Sequence, residues 1–213
     1  CDALRETDDL VGDLVSLAVA ANLVSCSLLK RQGDVRYKTK AELSKGVPDL
    51  VTTLADQLRR MGRHLRATPS LEARAVLLAS DAKALEGAPL FDAQGVITSP
   101  PYLNGTNYIR NTKLELWFLR AIRSGADLRI LRDEVVTSGI NDVTASTADE
   151  SVLPAVERIV RQIEIAAYDQ RIHRMVAGYF GDMYRVLCGL WAQTAPGAMI
   201  CIDIGDSRYA GVN

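Results

Sequence analysis

The chain has 213 residues, 48% of them hydrophobic and 24% charged, which describes a soluble globular protein and excludes disorder or a collagen-like fibre. Its longest apolar stretches, such as Leu14 to Leu23, are broken by Ser or Asn and fall far short of the roughly 20 residues a membrane span requires. With 25 basic against 26 acidic residues no overall cationic surface exists to hold nucleic acid by charge alone, so any such contact is local.

The chain opens Cys1-Asp-Ala-Leu-Arg5, with neither the basic nor the apolar region of a secretory signal, and reads as a fragment of a longer protein. From Ala3 to Leu29 apolar residues recur every three or four positions, Leu10, Leu14, Leu17, Ala21, Val24 and Leu28 among them, which predicts an amphipathic helix. Lys30 to Lys45 carries six basic residues, Asp34, Glu42 and one aromatic, Tyr37; it is either a phosphate-contacting patch or a solvated linker or helix face. Pro48 and Asp49 open a second helix with Leu50, Leu54, Leu58, Met61 and Leu65 on one face, ended by Pro69. His64 lies on it among Arg59, Arg60, Arg63 and Arg66 with no second ligand near, so no metal is expected there.

The texture changes near residue 73, where Ala75-Val-Leu-Leu-Ala79 and Gly95-Val-Ile-Thr98 are short apolar runs that end in polar or turn residues, the signature of buried parallel strands. Ligands of open α/β sheets bind at strand carboxyl ends, which places Asp81 and Ser99 where chemistry is expected. Thr112 to Ile122 predicts a helix, Gly139 to Glu150 a loop, and Ala155 to about Ala192 a long helical region broken near Tyr168 to His173. Ala198 to Ile204 reads as a third buried strand, closed by Gly205-Asp206-Ser207. The cysteines, Cys1, Cys26, Cys188 and Cys201, lack the spacing of a zinc ribbon or redox pair and are expected as buried free thiols in a reducing cytoplasm.

Ser99-Pro100-Pro101-Tyr102 assembles what methylation of an exocyclic amino group requires. Consecutive prolines fix φ and remove two donors, leaving carbonyls to accept. The amine of cytosine or adenine is a poor nucleophile because its lone pair is delocalised; hydrogen bonds from its N–H groups to the Ser99 hydroxyl and a proline carbonyl favour the pyramidal form that attacks a methyl donor. Tyr102 offers a flat face for a base taken out of the duplex. The competing reading is a rigid strand-to-loop turn with a core tyrosine.

The flanks decide between them. Val96-Ile-Thr-Ser-Pro-Pro-Tyr-Leu-Asn-Gly-Thr-Asn-Tyr108 with Lys113-Leu-Glu-Leu-Trp-Phe118 closely resembles the amino-directed DNA methyltransferases of the cytosine-N4 and adenine-N6 group. Tyr168-Asp-Gln-Arg-Ile172, Tyr179-Phe-Gly-Asp-Met183 and Ile202-Asp-Ile-Gly-Asp-Ser207 look like later segments of one bacterial branch, so the resemblance covers roughly residues 74 to 213. It implies an α/β, Rossmann-like fold, S-adenosylmethionine as cofactor, double-stranded DNA as substrate and a cognate restriction endonuclease as partner. In that family Ser before the two prolines is usual for cytosine-N4 enzymes, and the expected product is N4-methylcytosine; adenine, RNA or a protein amide is the alternative acceptor. Ser99, Pro100, Pro101 and Tyr102 are then catalytic. Asp81 matches the family's acid on the adenine end of the cofactor, or is a helix N-cap. Asn104, Asn107 and Tyr108 contact the target base or backbone, or hydrogen-bond within their loop. Asp203 and Asp206 fix a loop or support a ligand.

One departure stands out. The family's F-x-G-x-G cofactor loop is missing from all 213 residues, Gly205 and Gly211 being too far apart to replace it. It is expected upstream of residue 1 or on a partner chain, and its absence also admits a catalytically silent DNA-binding or assembly subunit. The expected organisation is a helical segment with a basic patch over 1–70 and a partial, incomplete methyltransferase catalytic domain over 71–213.

Overall fold

Most of the periodic apolar segments become helices in the computed structural model, which describes residues 10–32, 34–68, 75–103, 107–144 and 152–212. The chain divides into two units, one of residues 1–74 and 108–128, the other of 75–107 and 129–213.

In the first unit α1 (Leu10–Asn22) is shorter than its apolar stripe, because the chain turns at residues 23–26, where Cys26 N donates to Asn22 O at 3.0 Å. The basic stretch is neither linker nor helix. It forms an antiparallel hairpin, β1 (Leu29–Gln32) against β2 (Asp34–Tyr37), followed by a single helical turn, α2 (Lys40–Leu43). Its charges are largely satisfied within the unit. Lys30 and Arg36 both reach Glu42, at 2.7 and 2.8 Å. Arg31 pairs with Glu115 on α4 (Tyr108–Phe118), and Lys38 donates to the carbonyls of Ser25 and Ser27 at 3.0 and 2.6 Å. The Arg36 guanidinium, then the Lys30 ammonium, holds the Glu42 carboxyl well below the usual carboxylate range, while Glu42 closes a capping box with Thr39. The longest helix of this unit, α3 (Leu50–Ala67), starts on Asp49, whose carboxylate accepts Thr52 N–H at 2.8 Å, and packs on α1.

A further helix, α5 (Gly125–Glu134), was not anticipated by the periodicity. Its entry is set by Asp127, which accepts the N–H groups of Arg123 and Ser124 at 2.7 and 2.9 Å.

The second unit is built around a helical pair, α6 (Glu157–Ala166) and α7 (Arg171–Ala192), with the expected break between them. Asp169 holds that break. It accepts from Arg171 N at 2.8 Å and pairs with the Arg171 side chain at 2.7 Å, which draws the Asp169 pKa down to about 2. Val160 and Ile163 of α6 meet Ile172, Met175, Val176, Tyr179 and Met183 of α7 in one core, closed by Leu103 and Val156. The spacing of those α7 residues, three or four apart, is the reason a single face buries them. Inside this helix the buried Asp182 accepts Thr137 N–H at 2.8 Å and pairs with Arg185 at 2.5 Å.

Two strands complete the unit, β3 (Ala93–Thr98) and β4 (Thr194–Ile202), paired in parallel from Gly95↔Met199 to Thr98↔Ile202. The strand β4 begins earlier than the sequence suggests, because Pro196-Gly197 is absorbed in a register shift with Gly197 at φ +84°. The expected strand over Ala75–Ala79 does not form. Leu77 is 83% exposed, and no strand among the described residues pairs with this segment. The fold is therefore mixed helix and strand, and among the described residues the Rossmann-like sheet is not shown. One face of the pair, Gly95, Ile97, Met199 and Cys201, is exposed, Ile97 to 92%. The thiol expectation changes with it: Cys201 is exposed on that face and Cys26 and Cys188 are half-buried, while Cys1 lies outside the described residues.

Candidate functional site

Parallel pairing brings the carboxyl ends of β3 and β4 together, where Asp203 N donates to Thr98 O at 2.9 Å. From that edge Ser99-Pro100-Pro101-Tyr102 leaves one strand and Asp203-Ile204-Gly205-Asp206-Ser207 the other. Ser99 is exposed, Pro100 buried, and Pro101 and Tyr102 half-buried. The Ser99 hydroxyl faces the Tyr102 hydroxyl at 3.4 Å, the long limit of a hydrogen bond. These two groups therefore share one polar edge, while the tyrosine ring rests on glycine. A Cβ at Gly205 would stand 3.3 Å from Cδ2 and 3.4 Å from Cε2 of Tyr102.

A side chain at this position would press on the ring, which would have to give by a few tenths of an ångström. Gly205→Ala is expected to displace Tyr102 by a few tenths of an ångström, changing the near-ultraviolet circular dichroism while the melting temperature stays near that of the parent. An unchanged spectrum would show that this seat does not matter.

Beside Gly205 lies a cavity of about 350 Å³. Leu103, directly after the Ser99–Tyr102 turn, Tyr179 and Phe180 from α7, and Gly205, Ser207 and Tyr209 line it. Tyr179 and Phe180 meet edge to face, ring centroids 5.5 Å apart. Two hydroxyls, Ser207 Oγ and Tyr209 Oη, are buried with no hydrogen-bond partner among the described residues. An unpartnered buried hydroxyl costs on the order of 1–3 kcal/mol, so two of them lining a cavity make a lining suited to a ligand with polar edges. Burial, followed by the nearby Tyr168 phenol, pushes the Tyr209 phenol up and keeps it protonated as a donor. Tyr209 is fixed by a tight turn closed by Tyr209 N to Val212 O at 2.9 Å, with Ala210 at φ 51° and Gly211 at φ 84°. In the sequence Ser207 stands out only as part of the Gly205-Asp206-Ser207 turn and Tyr209 not at all; the signal they carry is position, in the loop that follows β4.

The other candidates fall elsewhere. Asp203 and Asp206 are exposed, and Asp203 ties the two strand ends through its backbone. Asn107 is buried in the second unit, Tyr108 is exposed as the first residue of α4 in the first unit, and Asn104 lies outside the described residues. Asp81 follows no strand. It is the N-cap of the 3₁₀ turn Ala82–Gly87, its Oδ1 accepting Lys83 N–H at 2.8 Å. Gln193 Nε2 holds the far end of that turn through the carbonyls of Leu85 and Ala88, at 3.0 and 3.1 Å, next to the amino ends of β3 and β4.

No helix among the described residues is long and apolar enough to cross a membrane. No family profile and no solved structure matches the chain. Part of it is similar to a Type II methyltransferase, M.BsoBI of Geobacillus stearothermophilus, with 29% identity over 143 residues, 57% of this chain and 28% of that protein. The chain thus spans little more than a quarter of the relative's length, and the similarity supports a distant relationship to the DNA methyltransferases.

Proposed function

We propose that this chain carries the acceptor-handling half of a Rossmann-like DNA methyltransferase that transfers a methyl group from S-adenosylmethionine to the exocyclic N4 amine of cytosine. The observation that carries this reading is the Ser99-Pro100-Pro101-Tyr102 turn at the carboxyl end of a parallel strand, with Tyr102 seated on Gly205 beside a cavity. Ser99 Oγ and a proline carbonyl accept the two amine hydrogens and turn the nitrogen lone pair outward. Tyr102 stacks on the extruded cytosine, and Asn104 and Asn107 of the following loop support the base or the adjacent backbone. The amine proton leaves to water once the nitrogen has become cationic.

The residues present do not form a complete cradle for S-adenosylmethionine. Asp81 is the one family-matched contact, and its Oδ1 already holds Lys83 N–H. No F-x-G-x-G turn occurs in the sequence. The remaining contacts to the cofactor would come from a segment carrying such a turn, in the same protein or on a partner. Asp81→Ala separates the two roles of this carboxylate. If it also binds the cofactor, affinity for S-adenosylmethionine falls by roughly 1–3 kcal/mol in calorimetry of the completed enzyme. If it only caps, stability falls by about 1 kcal/mol and affinity is unchanged.

The reading is tested by transfer of radiolabelled methyl groups to duplex DNA. The 213 residues alone are expected to bind cofactor weakly and to show no turnover, and a completed enzyme with the glycine turn to recover both. Turnover by the 213 residues at the completed enzyme's rate would contradict it.

A further inference from the structure

We infer that α3 is a backbone-contacting surface for duplex DNA, its arginines reaching successive phosphates. This rests on reading the protein as one that acts on DNA. The helix carries Arg59, Arg60, Arg63 and Arg66 against a single acid, Asp56, in a chain whose net charge is −1. All four arginines are exposed. At 1.5 Å rise per residue, Arg59, Arg63 and Arg66 stand about 6 and 10 Å along one side of the helix, and Arg60 lies beside them.

The contrast within the same unit is what gives these charges meaning. Lys30, Arg31, Arg36 and Lys38 of the hairpin region are taken up by Glu42, Glu115 and backbone carbonyls. On α3, Arg60 meets only the neutral Gln57, and Arg63 and Arg66 form no ion pair among the described residues. Arg59 pairs with Asp56 at 2.8 Å, both side chains 70% exposed, a contact of little net strength that a phosphate can displace. The helix dipole favours cations in the last turn and so accounts for Arg66, but its reach does not extend back to Arg59 and Arg60.

A basic amphipathic helix also suits an anionic membrane. Here the middle of the apolar stripe, Leu54, Leu58 and Met61, is half-buried where α3 packs on α1, leaving Leu50 and Leu65 exposed only at its two ends, so the continuous feature the helix offers is its charge. Guanidinium groups in place of ammonium groups favour bidentate contacts with phosphate oxygens.

The test is the salt dependence of binding to a fluorescein-labelled 20-base-pair duplex, using the full chain and the triple variant R60Q/R63Q/R66Q, with circular dichroism as the fold control. Each lost phosphate contact removes about 0.9 from the slope of log K against log salt, so the variant slope is expected to be shallower by about 2 to 3. R60K/R63K/R66K, which keeps the charge, is expected to keep the slope. An unchanged slope in the glutamine variant overturns the assignment of α3 and leaves the methyltransferase reading standing. Failure of the parent chain to bind duplex at 50 mM salt overturns both. Loss of binding to phosphatidylserine vesicles, with the DNA slope intact, makes α3 a membrane surface and overturns the proposal.

Discussion

Ser99→Ala and Tyr102→Ala are each expected to lower the methylation rate of the completed enzyme on the order of 10²-fold while leaving affinity for S-adenosylmethionine within about twofold. Both act on the acceptor. Without the Ser99 hydroxyl one amine hydrogen loses its acceptor, and the lone pair stays conjugated with the ring. Without Tyr102 the extruded base loses its stacking face, worth about 1–3 kcal/mol, and Gly205 faces an empty seat. The two side chains meet at 3.4 Å, so their effects are expected to be less than additive. Single-turnover kinetics separates these steps from binding. A double variant with a rate near the parent's would remove the turn from catalysis.

The largest expected effect on stability comes from Gly189. It is buried in the last turns of α7, where a Cβ would stand 2.6 Å from Leu85 Cβ and 3.0 Å from Glu86 N. These are a main-chain nitrogen and the first atom of a side chain, neither of which can swing away. The 3₁₀ turn Ala82–Gly87 must shift as a body. Gly189→Ala gains about 1 kcal/mol of helix propensity and loses about 1–3 kcal/mol to overpacking, and Gly189→Val adds two more methyl groups to the same clash while gaining only a few tenths of a kcal/mol of propensity over glycine. Valine is therefore expected to destabilise by at least about 3 kcal/mol in urea unfolding, and to free the turn that Asp81 caps. A Gly189→Val variant as stable as the parent would mean that α7 and the turn do not pack this closely.

Legibility in the sequence followed the range of the interactions involved. The α6–α7 pair and its break could be read, because Val160, Ile163, Ile172, Met175 and Tyr179 encode one face locally and Asp169 caps the second helix from two residues away. The hairpin could not. Its strands are four residues each, and what holds them is pairing of Lys30 and Arg36 with Glu42 and of Arg31 with Glu115, a partner 84 residues on. The apolar run at Ala75–Ala79 has the composition of a strand, but pairing needs a neighbour, and none of the described strands lies against it. At the candidate site, the position of Ser99 to Tyr102 directly after a parallel strand was legible from the apolar run that precedes it. Ser207 and Tyr209 were not, since a hydroxyl becomes informative only when burial strips it of partners, a fact of packing rather than of pattern.

In the proposed reaction this turn presents the exocyclic amine of cytosine to a methyl donor. Its most direct test is mass spectrometry of nucleosides from duplex DNA incubated with the completed enzyme and S-adenosylmethionine carrying a deuterated methyl group. The account predicts label in N4-methyldeoxycytidine, lost when Ser99 is replaced by Ala. Label in N6-methyldeoxyadenosine or 5-methyldeoxycytidine, or in no nucleoside at all, would contradict it.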